Sequence, residues 1–185
     1  MEFYKEIKLL PDPEFKETLL MNILFSRLHV VLADKGNGEV GISFPHFDKT
    51  LGNVIRLHGT SQALERIQAL RWLKGLDDYI NDKDILPVPE NCRYRVVRRA
   101  QTKSSVERLY RRSVKKGWLT EAEAEIEIQK KKDKKLKHPF VQVKSQSTGK
   151  QFPLFIVHEE IKDTFQNGKF SAYGLSTSNA TIPWF

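Results

Sequence analysis

The chain has 185 residues, a formal net charge of +8, 39% hydrophobic residues and a mean hydropathy of −0.48. That length holds one moderate core or two small packed halves, and no apolar run approaches the roughly 20 residues of a membrane-spanning helix. The single cysteine, Cys92, rules out an internal disulfide and fits a reducing cytoplasm, while the excess positive charge suits a polyanion, either nucleic acid or an anionic membrane surface.

Residues 1–10 carry acidic groups and strand-like alternation, so no secretory leader is expected there. Residues 3–10 read as a strand with Phe3, Ile7 and Leu9 on one face. Asp12 and Pro13 then predict a helix start, Asp12 as cap and Pro13 at the first helical position, with the helix running to about Asp34 before Gly36 and Gly38. Strands are expected at 40–44 and 54–58. Thr60 or Ser61 caps a second helix ending at Gly75. Residues 81–90, with Pro87 and Pro89, read as a linker, and a further strand is expected at 94–100. The resulting order β-α-β-β-α-β is that of a ferredoxin-like unit.

The second half is less regular. Ser104 with Glu107, and Thr120 with Glu123, have the spacing of capping boxes. The second of these helices carries a lysine-rich run at 130–137 and must end by His138 and Pro139. Strands are expected at 140–143, 151–158 and 170–173, with a polar turn at 145–149.

On the helix from about 105, Arg108, Arg111, Arg112 and Lys115 fall at the i, i+3, i+4, i+7 spacing that an apolar stripe normally occupies. Lys116 borders that face, and Val106, Tyr110 and Val114 lie roughly opposite. The row reads either as a solvated face or as a wall of charge for phosphates, to which arginine forks are well matched. Just upstream, Arg99, Gln101 and Lys103 alternate along the segment that joins strand to helix. Arginine and glutamine in such a row can read guanine and adenine edges, although any exposed edge strand shows the same alternation.

In the first long helix, Leu20, Ile23, Leu24, Leu28 and Val31 form the apolar face, and His29 lies opposite in a stripe with Asn22, Ser26 and Ala33. An exposed helical histidine is ordinarily unremarked. RNA changes that, because the ribose 2′-hydroxyl is itself a nucleophile and a lone imidazole can take its proton without a metal. The sequence holds no CxxC, HExxH, nucleophile elbow or Walker loop, so neither a metal nor a cofactor is expected.

Several short motifs in one order resemble the CRISPR-associated repeat-RNA endoribonucleases of subtype I-F (Ypest-type) systems: 11–15 (PDPEF), 21–29 (MNILFSRLH), 101–109, 145–149 (SQSTG), 173–176 (YGLS) and 183–185 (PWF). The resemblance spans nearly the whole chain. It implies an α+β fold with an N-terminal ferredoxin-like domain over 1–90. A C-terminal, degenerate ferredoxin-like half over 91–185 would carry an arginine-rich RNA-binding helix. It further implies metal-independent cleavage of pre-crRNA at the 3′ base of a repeat stem-loop, leaving 5′-hydroxyl and 2′,3′-cyclic phosphate ends. The product would stay bound within an interference complex containing other Cas subunits, without any membrane.

Carried over by position, His29 is the general base, Ser145 fixes the attacking ribose with Ser147 beside it, and Tyr173 orients the histidine. Arg99 and Gln101 read bases at the foot of the stem, and Phe152 stacks on the terminal pair. Lys103, Arg108, Arg111, Arg112, Lys115 and Lys116 contact the RNA, the last four tracking phosphates. Lys115 and Lys116 stand where a family member carries arginines, Tyr110 and Gly117 also depart from that pattern, and Pro153 follows Phe152. These departures keep most of the charge and bear on which stem-loop is preferred. A catalytically silent RNA-binding subunit, a transposon-encoded variant and a ribosomal-type RNA-binding protein are the competing readings. The presence of His29, Ser145 and Tyr173 together favours the active enzyme.

Overall fold

The computed structural model describes residues 1–100, 106–130, 136–144 and 149–185. They form two compact units, residues 1–99 with 138–185, and residues 100–137.

The first unit begins with β1 (Phe3–Leu9) and helix α1 (Glu17–Lys35), followed by β2 (Gly41–Ser43), β3 (Val54–Gly59), helix α2 (Ser61–Gln68) and β4 (Ile80–Pro87). These four strands make one sheet in the order β2-β3-β1-β4, with every neighbour antiparallel. That order and the two helices are compatible with a ferredoxin-like unit. Buried Leu20, Leu24, Phe25, Leu28, Val31 and Leu32 recur on one side of α1, and they join Ile7, Ile42, Ile55 and Leu57 of the sheet in one core. Burial of a leucine or isoleucine there contributes about 1.5–3 kcal/mol.

Strand β4 corrects the expected linker at 81–90, and the strand at 94–100 does not close this sheet. Residues 80–87 carry no apolar alternation, because an edge strand is held mainly through its backbone and its polar rim. Its register runs from Leu9 opposite Ile80 to Phe3 opposite Pro87. Ion pairs Lys5–Asp82 and Lys83–Glu6, both 2.7 Å, tie it to β1. Pro87 is tolerated because it stands at the end of an edge strand.

Two helix ends also differ from expectation. Asp12 accepts from the Glu14 and Phe15 amides (2.8 and 2.7 Å), closing a local turn. Helix α1 therefore starts later, at Glu17, with Lys16 as its cap residue. Thr60 does cap α2 through the Ala63 amide, but that helix ends at Gln68. Successive turns then carry the chain to Gly75, where φ is +77°.

The second sheet is built from β5 (Arg93–Ala100), β6 (Phe140–Lys144), β7 (Gln151–Lys162) and β8 (Ile182–Trp184), in the order β6-β7-β5-β8. Val141, Val143, Leu154 and Ile156 are buried and belong to the same core as the first sheet. Residues 170–173 are not a strand. Phe170 forms only an isolated bridge to Ser176, and a tight turn follows. The three-residue strand β8 lies outside the strands expected from the sequence.

The second unit carries helices α3 (Val106–Lys115) and α4 (Glu121–Lys130). α3 ends in paired bonds from Gly117 N–H to the Val114 carbonyl and from Trp118 N–H to the Ser113 carbonyl, both 2.9 Å. Gly117 lies at φ +73°, which makes this a glycine-terminated Schellman cap. The Thr120–Glu123 capping box is present in both directions, with the Glu123 carboxylate accepting from Thr120 and the Thr120 hydroxyl accepting from the Glu123 amide. The Tyr110 hydroxyl donates to Glu127 of α4 at 3.1 Å. Ser104 and the lysine-rich residues 131–135 lie outside the described residues.

Candidate active site

His29 stands on the flank of α1, half-buried, four residues after Phe25 and seven after Asn22. Its Nδ1 lies 2.9 Å from the Ala172 carbonyl oxygen. A carbonyl can only accept, so Nδ1 carries the proton and the lone pair of the neutral ring resides on Nε2. The Tyr173 ring lies nearly parallel against the imidazole, with centroids 4.1 Å apart at 17°. The same ring stacks at 6.3 Å and 9° on Phe25, one helical turn earlier.

The turn that supplies both contacts is tightly determined. Gly174 donates to the Ser171 carbonyl and Ser171 to the Leu175 carbonyl (2.8 Å each), and Ile42 N–H donates to Gly174 O at 2.9 Å. Gly174 adopts φ +68°, and a Cβ there would stand 2.6 Å from Ile42 Cγ2. Only glycine meets both demands without displacement.

Strand β6 runs beside α1, where the Gln142 amide donates to Asn22 Oδ1 at 2.9 Å. Lys144 and Gln151 form the last pair of the β6–β7 hairpin. Ser145 and Ser147 fall between them, outside the described residues, as do Gln101 and Lys103. Arg99 is exposed on β5, and its guanidinium lies over the Phe152 ring at 5.5 Å. In the second unit, Arg108, Arg111, Arg112, Lys115 and Lys116 are all exposed, while Tyr110 and Val114 are half-buried. Arg111 pairs with Glu107 one turn earlier at 2.6 Å, and Lys116 lies 4.5 Å over the Trp118 ring.

The structure therefore brings His29 together with Tyr173, and Arg99 with Phe152. The Ala172 carbonyl had no signal in the sequence, since a backbone oxygen bears no residue signature.

Two other histidines are packed within the fold, His58 fully buried and His158 half-buried. His58 is fully buried with Nε2 2.8 Å from Ser43 Oγ, and burial, then the nearby Arg56 charge and the N-terminus, push its pKa down to about 3. His158 stacks on Phe47 at 3.8 Å and 8°. Burial, then Arg95, push it down to about 3 as well. Both are neutral imidazoles in the fold. Among the described residues, no group of three or more histidine, cysteine, aspartate and glutamate side chains is gathered as a metal site would need, and no helix is long and apolar enough to cross a membrane.

Two antiparallel sheets with helices make this an α+β protein; its first unit holds a histidine fixed by a tight turn, and its second unit carries a helix whose exposed arginine face suits a polyanion. The sequence pattern of the family described as CRISPR-associated protein (Cas_Csy4) matches residues 4–185. The chain is 47% identical over 185 residues to the CRISPR-associated endonuclease Cas6/Csy4 of Escherichia coli (strain UTI89 / UPEC), covering 100% of both chains. It is 40% identical over 188 residues to the protein of that name from Pseudomonas aeruginosa (strain UCBPP-PA14), again covering 100% of both. The chain belongs to the Csy4 family of CRISPR-associated proteins.

Proposed function

We propose that the chain is an endoribonuclease that binds the stem-loop of CRISPR repeat RNA and cuts at the 3′ base of the stem. Family membership and the endonuclease names of its relatives support the reaction class. The observation that carries the mechanism is the His29 Nδ1–Ala172 bond, which leaves Nε2 as the proton acceptor. His29 takes the proton of the ribose 2′-hydroxyl, and the 2′-oxygen attacks the adjacent phosphorus. The P–O5′ bond breaks, the departing oxygen takes a proton from solvent, and the ends are a 2′,3′-cyclic phosphate and a 5′-hydroxyl. A general base of this kind supplies roughly 10²–10⁴-fold. Alignment of nucleophile and leaving group supplies more, so no metal is required.

In this reading Tyr173 holds the imidazole in place and Ser145, with Ser147, fixes the attacking ribose. Arg99 and Gln101 read bases at the stem's foot, and Phe152 stacks on the last pair. Lys103, Arg108, Arg111, Arg112, Lys115 and Lys116 contact the RNA of the hairpin. Residues 1–90 form the ferredoxin-like catalytic half and 91–185 the degenerate, hairpin-binding half. The product hairpin stays bound in a cytoplasmic interference complex with other Cas subunits.

Cleavage of labelled repeat RNA in EDTA, followed by end-group analysis, tests the reaction. Cutting with a 5′-hydroxyl and a cyclic phosphate is expected; an absolute need for a divalent cation would overturn the mechanism.

A further inference from the structure

Besides His29, the outer stripe of α1 carries Asn22, seven residues earlier. Seven residues are close to two turns, so the two side chains share one side of the helix about 10.5 Å apart along its axis. At the Asn22 end lies a cavity of about 320 Å³ lined by Thr18 and Asn22 of α1, Lys49 and Thr50 of the β2–β3 connection, and Phe140 and Gln142 of β6. Phe140 is 47% exposed although it is a large aromatic. Its ring lies against that of Phe155, with centroids 5.3 Å apart and planes tilted by 54°.

The rim opposite the helix is a built loop. Asp48 N–H donates to the Thr50 carbonyl at 2.9 Å, and Gly52 N–H donates to Thr50 Oγ1 at 3.3 Å. Gly52 sits at φ +71° with its backbone against the His46 carbonyl, where a Cβ would come within 2.3 Å. Lys49 is carried at the tip of this loop, exposed beside the cavity.

An exposed aromatic face, an ammonium group and two primary amides are the parts that recognise an unpaired nucleotide: the ring stacks the base, the Gln142 amide and the Asn22 NH2 group (whose Oδ1 already accepts from the Gln142 N–H) meet its edge, and the lysine meets its phosphate. The cavity lies at the lower end of the size range for small-ligand sites, which suits a single nucleotide better than a folded partner.

We propose that this cavity receives an unpaired nucleotide of the 3′ flank, one of the three that follow the first nucleotide past the scissile phosphate. The assignment rests on the cleavage reading above. A strand whose scissile phosphate faces His29 continues through that phosphate into its 3′ flank, whereas the 5′ flank departs from the other strand of the stem. Holding the 3′ flank also fixes the leaving 5′-oxygen relative to the attacking 2′-oxygen, an orientation effect on the rate itself.

The test compares hairpins ending one nucleotide and four nucleotides past the scissile phosphate, and hairpins with the added nucleotides on the 5′ side. Single-turnover cleavage with the full chain should half-saturate at about tenfold lower protein concentration with the 3′ extension, the order expected for one base stacked on an aromatic ring. Phe140→Ala should remove that gain and Phe140→Tyr restore it. Lys49→Ala should reduce the gain and flatten its salt dependence by about 0.7 log unit, while Lys8→Ala, an exposed lysine elsewhere, should keep it. The same comparison on RNA carrying a 2′-deoxy attacking ribose reads binding without cleavage, so the subsite stays testable even if no hairpin is cut. No gain from the 3′ extension, a gain from the 5′ extension instead, or a gain that survives Phe140→Ala would overturn the proposal.

Discussion

The His29 imidazole and the Ala172 carbonyl are joined across 143 residues of sequence by a 2.9 Å hydrogen bond. This bond selects the tautomer, and the ring of the next residue, Tyr173, lies flat against the histidine. Together these contacts hold the ring with Nδ1 toward the backbone and Nε2 as the remaining acceptor.

Removing the Tyr173 ring should therefore disturb chemistry rather than binding. Tyr173→Ala is expected to lower the single-turnover cleavage rate by about 10²-fold, the order produced by a small misplacement of a catalytic group, with hairpin affinity nearly unchanged. Tyr173→Phe keeps the stacked face and should retain most of the rate. Equal losses in both variants would assign the role to the hydroxyl instead.

Gly174→Ala should act on the same turn from behind. The positive φ costs an L residue about 1–2 kcal/mol, and the new Cβ would press on Ile42. A lowered melting temperature together with a reduced cleavage rate is expected. An unchanged rate would show that the turn need not hold its position for catalysis.

Acid should destabilise the fold through His58 and His158. In the unfolded chain each takes a proton near 6.5, whereas in the fold it does so only near 3. Their contribution to stability is thus complete above about pH 6.5 and is lost as pH falls towards 3, at about 1.4 kcal/mol per pH unit for each group. Urea unfolding between pH 6 and 4 should show this slope, reduced by about one histidine's share in His158→Phe, which preserves the stack on Phe47. An identical slope in the variant would mean that His158 is protonated in the fold.

The Glu107–Arg111 pair is exposed at both ends, so it contributes only about 0–1 kcal/mol and yields readily to a phosphate. Arg111→Ala should reduce the salt slope of hairpin binding by about 0.7–0.9 log units. Glu107→Gln should strengthen binding at low salt by removing a like charge from the RNA's path. A slope unchanged in Arg111→Ala would return this helix face to plain solvation.

What was legible in the sequence followed periodicity and capping. Helix α1 declares itself through Leu20, Leu24, Leu28 and Val31, the basic face of α3 through its arginine spacing, and α4 through Thr120 and Glu123. Strand β4 was hidden because residues 80–87 owe their place to backbone pairing with β1 and to the Lys5–Asp82 and Lys83–Glu6 pairs, none of which shows as an apolar pattern. Helix α1 starts later than its sequence signal because the Asp12 side chain closes a local turn instead of capping the helix. His29 and Tyr173 were legible as residues through family resemblance, but the Ala172 carbonyl that sets the tautomer is backbone. Phe140 and Lys49 belong to segments whose neighbourhood is made only by tertiary packing.

The most direct measurement is single-turnover cleavage of repeat RNA by His29→Ala in EDTA, with hairpin affinity measured in parallel. A general base acts on the transition state and not on ground-state binding. The expected result is a rate lower by about 10²–10⁴-fold with affinity essentially unchanged. Cleavage at the rate of the unsubstituted chain would contradict the assignment of His29 as the proton acceptor.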